Sequence, residues 1–131
     1  MSAETAQTIS PEERAIRESQ VVCRAIFVLQ EDLNLKVKDL EIILGVDRKT
    51  LGRWKEKGAI PNLSGHLRQA TSHLISIYRS LLAMFSSPID RKQWIHTGHM
   101  ELILPPVELI RDLEGLIRVR RYLDYVRGRG A

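Results

Sequence analysis

Apolar residues recur along this chain at intervals of three and four, the spacing of amphipathic helices, and no segment shows the alternation of a strand. The first apolar stripe consists of Val22, Ile26, Leu29 and Leu33. Ser10 and Pro11 precede this stripe, and Glu13 completes a capping box, so the sequence predicts a helix from Pro11 to about Asp32. We therefore expect an all-α fold.

Two short helices joined by a tight turn are predicted over Val37–Lys57. The first has its apolar face at Val37, Leu40 and Leu44. Gly45 can end this helix in the left-handed conformation, and Asp47 can cap the next one. On the second helix Leu51 and Trp54 are three residues apart, and we expect both, like Leu44, to be core residues. This order predicts a helix-turn-helix, whose second helix enters the DNA major groove with its N-terminal end.

Positive charge is concentrated on this second helix. Five Lys and Arg side chains against Asp47 and Glu56 leave residues 47–57 with +3 of the chain's formal +4. We expect base contacts from Arg48, Lys49, Thr50 and Arg53, and phosphate contacts from Lys55 and Lys57. A helical corner in a purely structural bundle is the alternative. Glu41 supports that alternative, because helix-turn-helix proteins usually carry a small residue four positions before the turn glycine.

A long helix is predicted from Gly65 to about Ser86, after a possible cap at Ser64. Its apolar face consists of Leu67, Ala70, Leu74, Ile77, Leu81 and Phe85. So wide a face must be buried, either against the C-terminal half or against a second copy of the chain. Since the C-terminal part is short, we expect this face and the region of Trp94 to form the interface of a homodimer.

The remaining sequence predicts three further elements. Ser87 and Pro88 begin a helix that Thr97 and Gly98 end, and a loop follows over His99–Leu104. A short helix is predicted from Pro105 and Pro106 to about Arg111, and a last one over Leu113–Arg127 with Asp112 as its cap. The predicted organisation is a disordered tail over residues 1–9, a DNA-binding-like domain over 10–62, and a helical dimerisation domain over 63–131.

Few residues suggest catalysis or metal binding. Cys23 is the only cysteine and lies in an apolar run, so we expect a buried thiol. His96 and His99 are three residues apart, but Thr97 and Gly98 break the helix between them. We therefore expect no enzyme, metal site or cofactor. The polar N-terminus lacks a signal peptide's apolar core, and no apolar run could span a bilayer, so we expect a cytoplasmic protein without a membrane partner.

A basic cluster occupies the C-terminal region. Its members are Arg111, Arg118, Arg120, Arg121, Arg127 and Arg129. A solvated basic face is one interpretation. The other is a short arm, ending in Gly-Arg-Gly-Ala, that enters a partner's cleft and pairs with carboxylates.

The second half of the chain resembles the C-terminal domain of the MbcA/ParS/Xre antitoxin family. The matching residues are, in order, Phe85, Ser87, Pro88, Trp94, Ile95, Thr97, Leu102, Pro106, Glu108, Leu109, Ile110, Gly115, Val119, Leu123 and Gly128. The preceding order, an Xre-like helix-turn-helix and then a long helix, is also similar. This resemblance implies an antitoxin that dimerises, represses its own operon and neutralises a RES-domain toxin that consumes NAD.

The resemblance also implies that the chain end lies near the active site of that toxin. The residues assigned to toxin binding are Arg121, Tyr125, Arg127, Gly128, Arg129 and Gly130. Two other functions remain open from the sequence. One is a plain dimeric transcriptional regulator, and the other is an interaction adaptor without DNA binding.

Overall fold

The computed structural model describes residues 8–99 and 101–128, which form seven helices and no strand. The helices are α1 Pro11–Asp32, α2 Val37–Leu44, α3 Arg48–Lys57, α4 Gly65–Met84, α5 Pro88–His96, α6 Pro106–Leu109 and α7 Leu113–Val126. The all-α fold is thus confirmed for these residues. α4, α6 and α7 end one or two residues earlier than predicted. Most of the predicted tail, residues 1–7, lies outside the described residues.

Most helix starts follow the predicted caps. Ser10 Oγ accepts a hydrogen bond from the Glu13 N–H at 3.1 Å, and Ser87 Oγ accepts one from the Ile89 N–H at 3.2 Å. Both satisfy backbone donors that the first helical turn leaves free. Ser64 occupies the predicted N-cap position of α4, but its side chain makes no capping hydrogen bond, because its Oγ donates to the Asn62 carbonyl instead.

α4 lies at the centre of the fold and is covered by other helices of the same chain. Its buried side chains include Ala70, Leu74, Ile77 and Leu81. On α7, Arg120 contacts His73 of α4, and Arg127 contacts Ser80 of α4. Both pairs are 47 residues apart in the sequence, so the two helices run parallel. α1 covers another side of α4. The C-terminal half of the same chain, one of the two expected partners, thus covers this face, and these buried side chains are not free to form the predicted homodimer interface.

A largely buried ion pair joins the end of α1 to α5. Arg91 Nε and Nη2 donate to the two carboxylate oxygens of Asp32 at 2.7 and 2.9 Å, and Arg91 Nη1 donates to the Phe85 carbonyl. These hydrogen bonds from Arg91 hold the pKa of Asp32 below its ordinary value. The pair fixes the start of α5 against the end of α1.

Asp39 forms a second long-range connection. Its carboxylate is buried, accepts the Lys36 backbone N–H at 2.9 Å, and lies 3.4 Å from Arg111 Nη2. Arg111 therefore links α2 to the segment before α7. The buried apolar side chains form one cluster, from Cys23 to Leu123, across the boundary predicted near residue 62.

Ile103 occupies a strained turn between α5 and α6. Its φ is +72°, and the Leu104 N–H donates to the Leu102 carbonyl at 2.8 Å, which closes a γ-turn around it. This left-handed backbone is costly for a β-branched residue. The Ile103 side chain is 77% exposed, so burial recovers little of that cost.

We expect Ile103→Gly to raise the free energy of unfolding by about 1 kcal/mol, because glycine adopts positive φ without a steric cost. Thermal unfolding followed by circular dichroism measures the change. Leu104→Gly is the matched control, since Leu104 is also exposed but lacks a positive φ, and this control should lower stability. A lower melting temperature for Ile103→Gly would contradict the strain argument.

Candidate nucleic-acid interface

α3 buries one face and exposes a basic one. Leu51 and Trp54 are 3% and 5% exposed, and Leu44 on α2 is 2% exposed, which confirms these three as core residues. The five cations of α3 are all exposed, and Thr50 is half-buried. The helix thus presents positive charge from a firmly packed base.

Both ends of α3 are fixed by local hydrogen bonds. Asp47 Oδ1 accepts a hydrogen bond from the Thr50 N–H at 2.8 Å. This hydrogen bond is the main reason that the pKa of Asp47 lies below its ordinary value. Gly58 has a φ of +72° and donates to the Trp54 carbonyl at 2.7 Å. The start and end predicted from Asp47 and Gly58 are therefore confirmed.

Further contacts hold α3 on α1. The Cys23 thiol is buried and donates to the Trp54 carbonyl, with sulfur and oxygen 3.4 Å apart. Burial raises the pKa of this thiol. After α3, the Ile60 carbonyl accepts a hydrogen bond from Ser19 Oγ at 2.6 Å. These contacts from α1 therefore set the position of the last turn of α3 and of the segment that follows it.

The corner between α2 and α3 tolerates Glu41. Its side chain is half-buried, and its carbonyl accepts the N–H groups of Gly45 and Val46 at 2.9 and 3.2 Å. Gly45 has a φ of +69°, as predicted for the end of α2. The His66 ring of α4 packs beside Gly45 and hydrogen-bonds the Ile43 carbonyl. α4 therefore stabilises the corner between α2 and α3 through His66.

The predicted DNA contacts do not all share one direction. At 100° per residue, the positions opposite the buried Leu51 and Trp54 are Lys49, Gly52, Arg53 and Glu56. Arg48 and Lys55 instead lie to one side, where they line a cavity against α1. Lys49 and Arg53 are thus the cations that point away from the protein.

Two residues of this outward face were not singled out from the sequence. Gly52 is exposed, and a Cβ placed there would have no atom within 4 Å, so the backbone itself is open to a partner. Glu56 places a carboxylate on the same face. Helical periodicity around Leu51 and Trp54 could have identified both. Thr50 Oγ1 accepts a hydrogen bond from Arg53 Nη2 at 3.1 Å and so orients that guanidinium.

The predicted toxin-binding residues divide into three groups. Arg121 and Tyr125 are exposed, and Gly128 follows α7 with a φ of +80°. Arg127 is half-buried, and its Nη1 donates to Ser80 Oγ at 2.9 Å, so it ties the end of α7 to α4. Arg129 and Gly130 lie outside the described residues.

The four histidines have protein partners. His66, His96 and His99 each hydrogen-bond a backbone carbonyl, and His73 Nδ1 lies 3.0 Å from Arg120 Nη1. Burial, and then the charge of Arg120, lower the pKa of His73, which favours its neutral form as the acceptor. Within residues 8–99 and 101–128, no three His, Cys, Asp or Glu side chains are grouped to hold a metal ion.

In the described part of the chain, every helix is too short or too polar to cross a membrane. A comparison of the chain with protein-family models and with curated proteins gives no match.

Proposed function

We propose that this protein is an antitoxin that binds operator DNA through α3 and neutralises a RES-domain toxin through its C-terminal segment. In this proposal α2, the turn and α3 form a helix-turn-helix. The observation that supports DNA binding best is the outward face of α3, where Lys49 and Arg53 flank an exposed glycine. The toxin-binding part depends on the resemblance of residues 85–128 to the antitoxin family.

The geometry of α3 suits the major groove of DNA. The groove accepts one α-helix, and an arginine can donate two hydrogen bonds to guanine O6 and N7. Arg53 is exposed and donates one hydrogen bond to Thr50, and Gly52 beside it adds no bulk between the helix backbone and the DNA. Lys55 and Lys57, in the last turn, can contact phosphates and position the helix.

We expect Arg53→Ala to weaken binding to a DNA fragment that carries the promoter of the protein's own gene by about 1–3 kcal/mol, and to relax base preference at one position. Lys57→Ala should weaken binding to all sequences alike and lower the salt dependence by about one phosphate contact. Fluorescence anisotropy over a range of salt concentrations measures both effects. Arg79→Ala, an exposed arginine on α4, is the matched control. The proposal fails if no salt-dependent binding occurs with or without toxin.

A homodimer remains part of this proposal, although its interface must differ from the buried face of α4. Large apolar side chains stay exposed where α4 and α7 end and α5 begins, namely Leu82, Ile89, Tyr125 and Val126. Large exposed apolar side chains of this kind favour association. Light scattering of the free protein and of its DNA complex gives the number of chains.

The C-terminal segment is suited to entering a cleft. α7 packs on α4, Gly128 follows its C-cap Arg127, and Arg121 and Tyr125 are exposed on its surface. Its arginines can pair bidentately with carboxylates. A rigid helix that holds the segment limits the entropy lost on binding.

We expect a chain truncated after Val126 to lose toxin neutralisation while it remains folded. Co-expression with the toxin and a growth assay measure the loss. The truncation also removes the contact between Arg127 and Ser80, so Ser80→Ala is the control, because it removes that hydrogen bond and keeps the tail. Full growth rescue by the truncated chain would show that the tail is not needed.

An interaction adaptor without DNA binding is the second candidate. The carboxylate of Glu56 on the outward face favours it, because a carboxylate repels phosphates. The promoter-binding measurement above separates the two functions.

A further inference from the structure

A small cavity lies between α1, α2 and α3, beside the candidate DNA interface. Its volume is about 210 Å³. Its apolar wall is formed by Phe27, Val37, Leu40 and Leu51. Two cations, Arg48 and Lys55, together with Gln30 and Gly52, complete the lining. Leu40 and Leu51 belong to the buried core, so the floor of the cavity is rigid.

The charged side chains that line the cavity are all positive. No acidic side chain lines it, and in the described part of the chain neither Arg48 nor Lys55 forms an ion pair. Lys55 Nζ lies 5.7 Å from the centre of the Phe27 ring, which holds this ammonium group at the edge of the apolar wall. An apolar wall with cations and no carboxylate is complementary to a small anion that has an apolar body.

The size of the cavity limits its ligand further. Sites for drug-sized ligands have volumes of about 300–1,000 Å³, so a single ring is the largest group that fits here. We propose that this cavity binds a small aromatic carboxylate. The ring would lie against Val37 and Phe27, which are half-buried, and the carboxylate would accept hydrogen bonds from Arg48, which can donate two in parallel.

Binding of such an anion has a consequence for DNA. Arg48 and Lys55 are also candidate DNA contacts, so a bound carboxylate neutralises charge that phosphates would otherwise meet. This consequence depends on the proposed DNA-binding function, whereas ligand binding itself does not. The cavity would thus make promoter binding responsive to an aromatic acid.

Benzoate is the probe for a test of binding, with the uncharged benzamide as its control of equal size. We expect benzoate to bind the full-length protein with a Kd of about 1 mM, measured from backbone amide shifts in NMR. Benzamide should bind at least about tenfold more weakly, the loss expected when the charged hydrogen bonds are removed. Arg48→Ala and Lys55→Ala should each weaken benzoate binding about fivefold or more.

Lys38→Ala is the matched control variant, because Lys38 is an exposed cation on α2 that does not line the cavity. Equal binding of benzoate and benzamide, or equal binding by the Arg48 and Lys38 variants, would overturn the proposal. Absence of saturable binding would overturn it too. Binding of an acidic, leucine-containing peptide at the same residues, with no benzoate binding, would assign the cavity to a protein partner and overturn it as well.

The promoter assay separates this inference from the proposed function. We expect saturating benzoate to lower promoter affinity several-fold for the wild type and to have no such effect on Arg48→Ala. Benzoate binding without any promoter binding would mean that the DNA function fails while the ligand site stands. Promoter binding by a protein that does not bind benzoate would mean that the DNA function stands while the ligand site fails.

Discussion

Replacing Gly115 by alanine should lower the free energy of unfolding by about 3 kcal/mol or more, among the largest effects expected for this chain. Gly115 is buried in the first turn of α7. A Cβ at this position would lie 1.6 Å from the carbonyl oxygen of Leu109 and 2.6 Å from its carbon. No side-chain rotation relieves this overlap, because the atoms it meets belong to the backbone.

Accommodating a methyl group at this position requires α6 and α7 to move apart. The same movement disturbs the cap of α7, where Asp112 Oδ1 accepts the Gly115 N–H at 2.7 Å. Alanine is favoured over glycine inside a helix by about 1 kcal/mol, so intrinsic propensity alone would predict stabilisation. The steric overlap exceeds that gain and decides the sign.

Gly52→Ala is the matched control for this prediction. Gly52 also lies inside a helix, but a Cβ there would have no atom within 4 Å. We therefore expect this variant to gain about 0.5–1 kcal/mol. Urea unfolding followed by circular dichroism measures both variants. Equal stabilities for Gly115→Ala and the wild type would show that the α6–α7 turn adapts at little cost.

Trp54→Ala should cost about 3–5 kcal/mol, as the truncation of large buried side chains does. The Trp54 side chain packs in the core beneath α3, and it is 5% exposed. Its backbone contacts to Cys23 and Gly58 survive the substitution, so the loss reports packing alone. Thermal unfolding measures it, and Trp54→Phe should retain most of the stability.

Because one face of α3 packs in the core and the other is proposed to contact DNA, substitutions on the two faces should have opposite effects on stability and DNA binding. Trp54→Ala should lose stability first and DNA binding as a consequence. Arg53→Ala should lose DNA binding and melt like the wild type, because its side chain is exposed. A Trp54→Ala protein that melts normally and only fails to bind DNA would mean that the inward and outward faces of α3 are exchanged.

Elements set by contacts between near neighbours were predictable from the sequence. The caps at Ser10, Asp47 and Asp112 join residues three apart, and the left-handed ends at Gly45 and Gly58 need only one residue's geometry. The buried face of α3 followed in the same way from the spacing of its apolar side chains. All these features depend on the local backbone and on helical periodicity.

Contacts between distant residues were decided by the tertiary structure. The pairs Asp32–Arg91 and Asp39–Arg111 join residues 59 and 72 positions apart, and no local pattern selects one arginine among many. Arg127 illustrates the same limit, because it was assigned to a free arm and instead donates to Ser80. The sequence alone determined where the helices begin and which faces are apolar. Only their packing determined that α7 covers α4 and that Arg48 and Lys55 share a cavity, because burial and charge pairing depend on which surfaces meet in space.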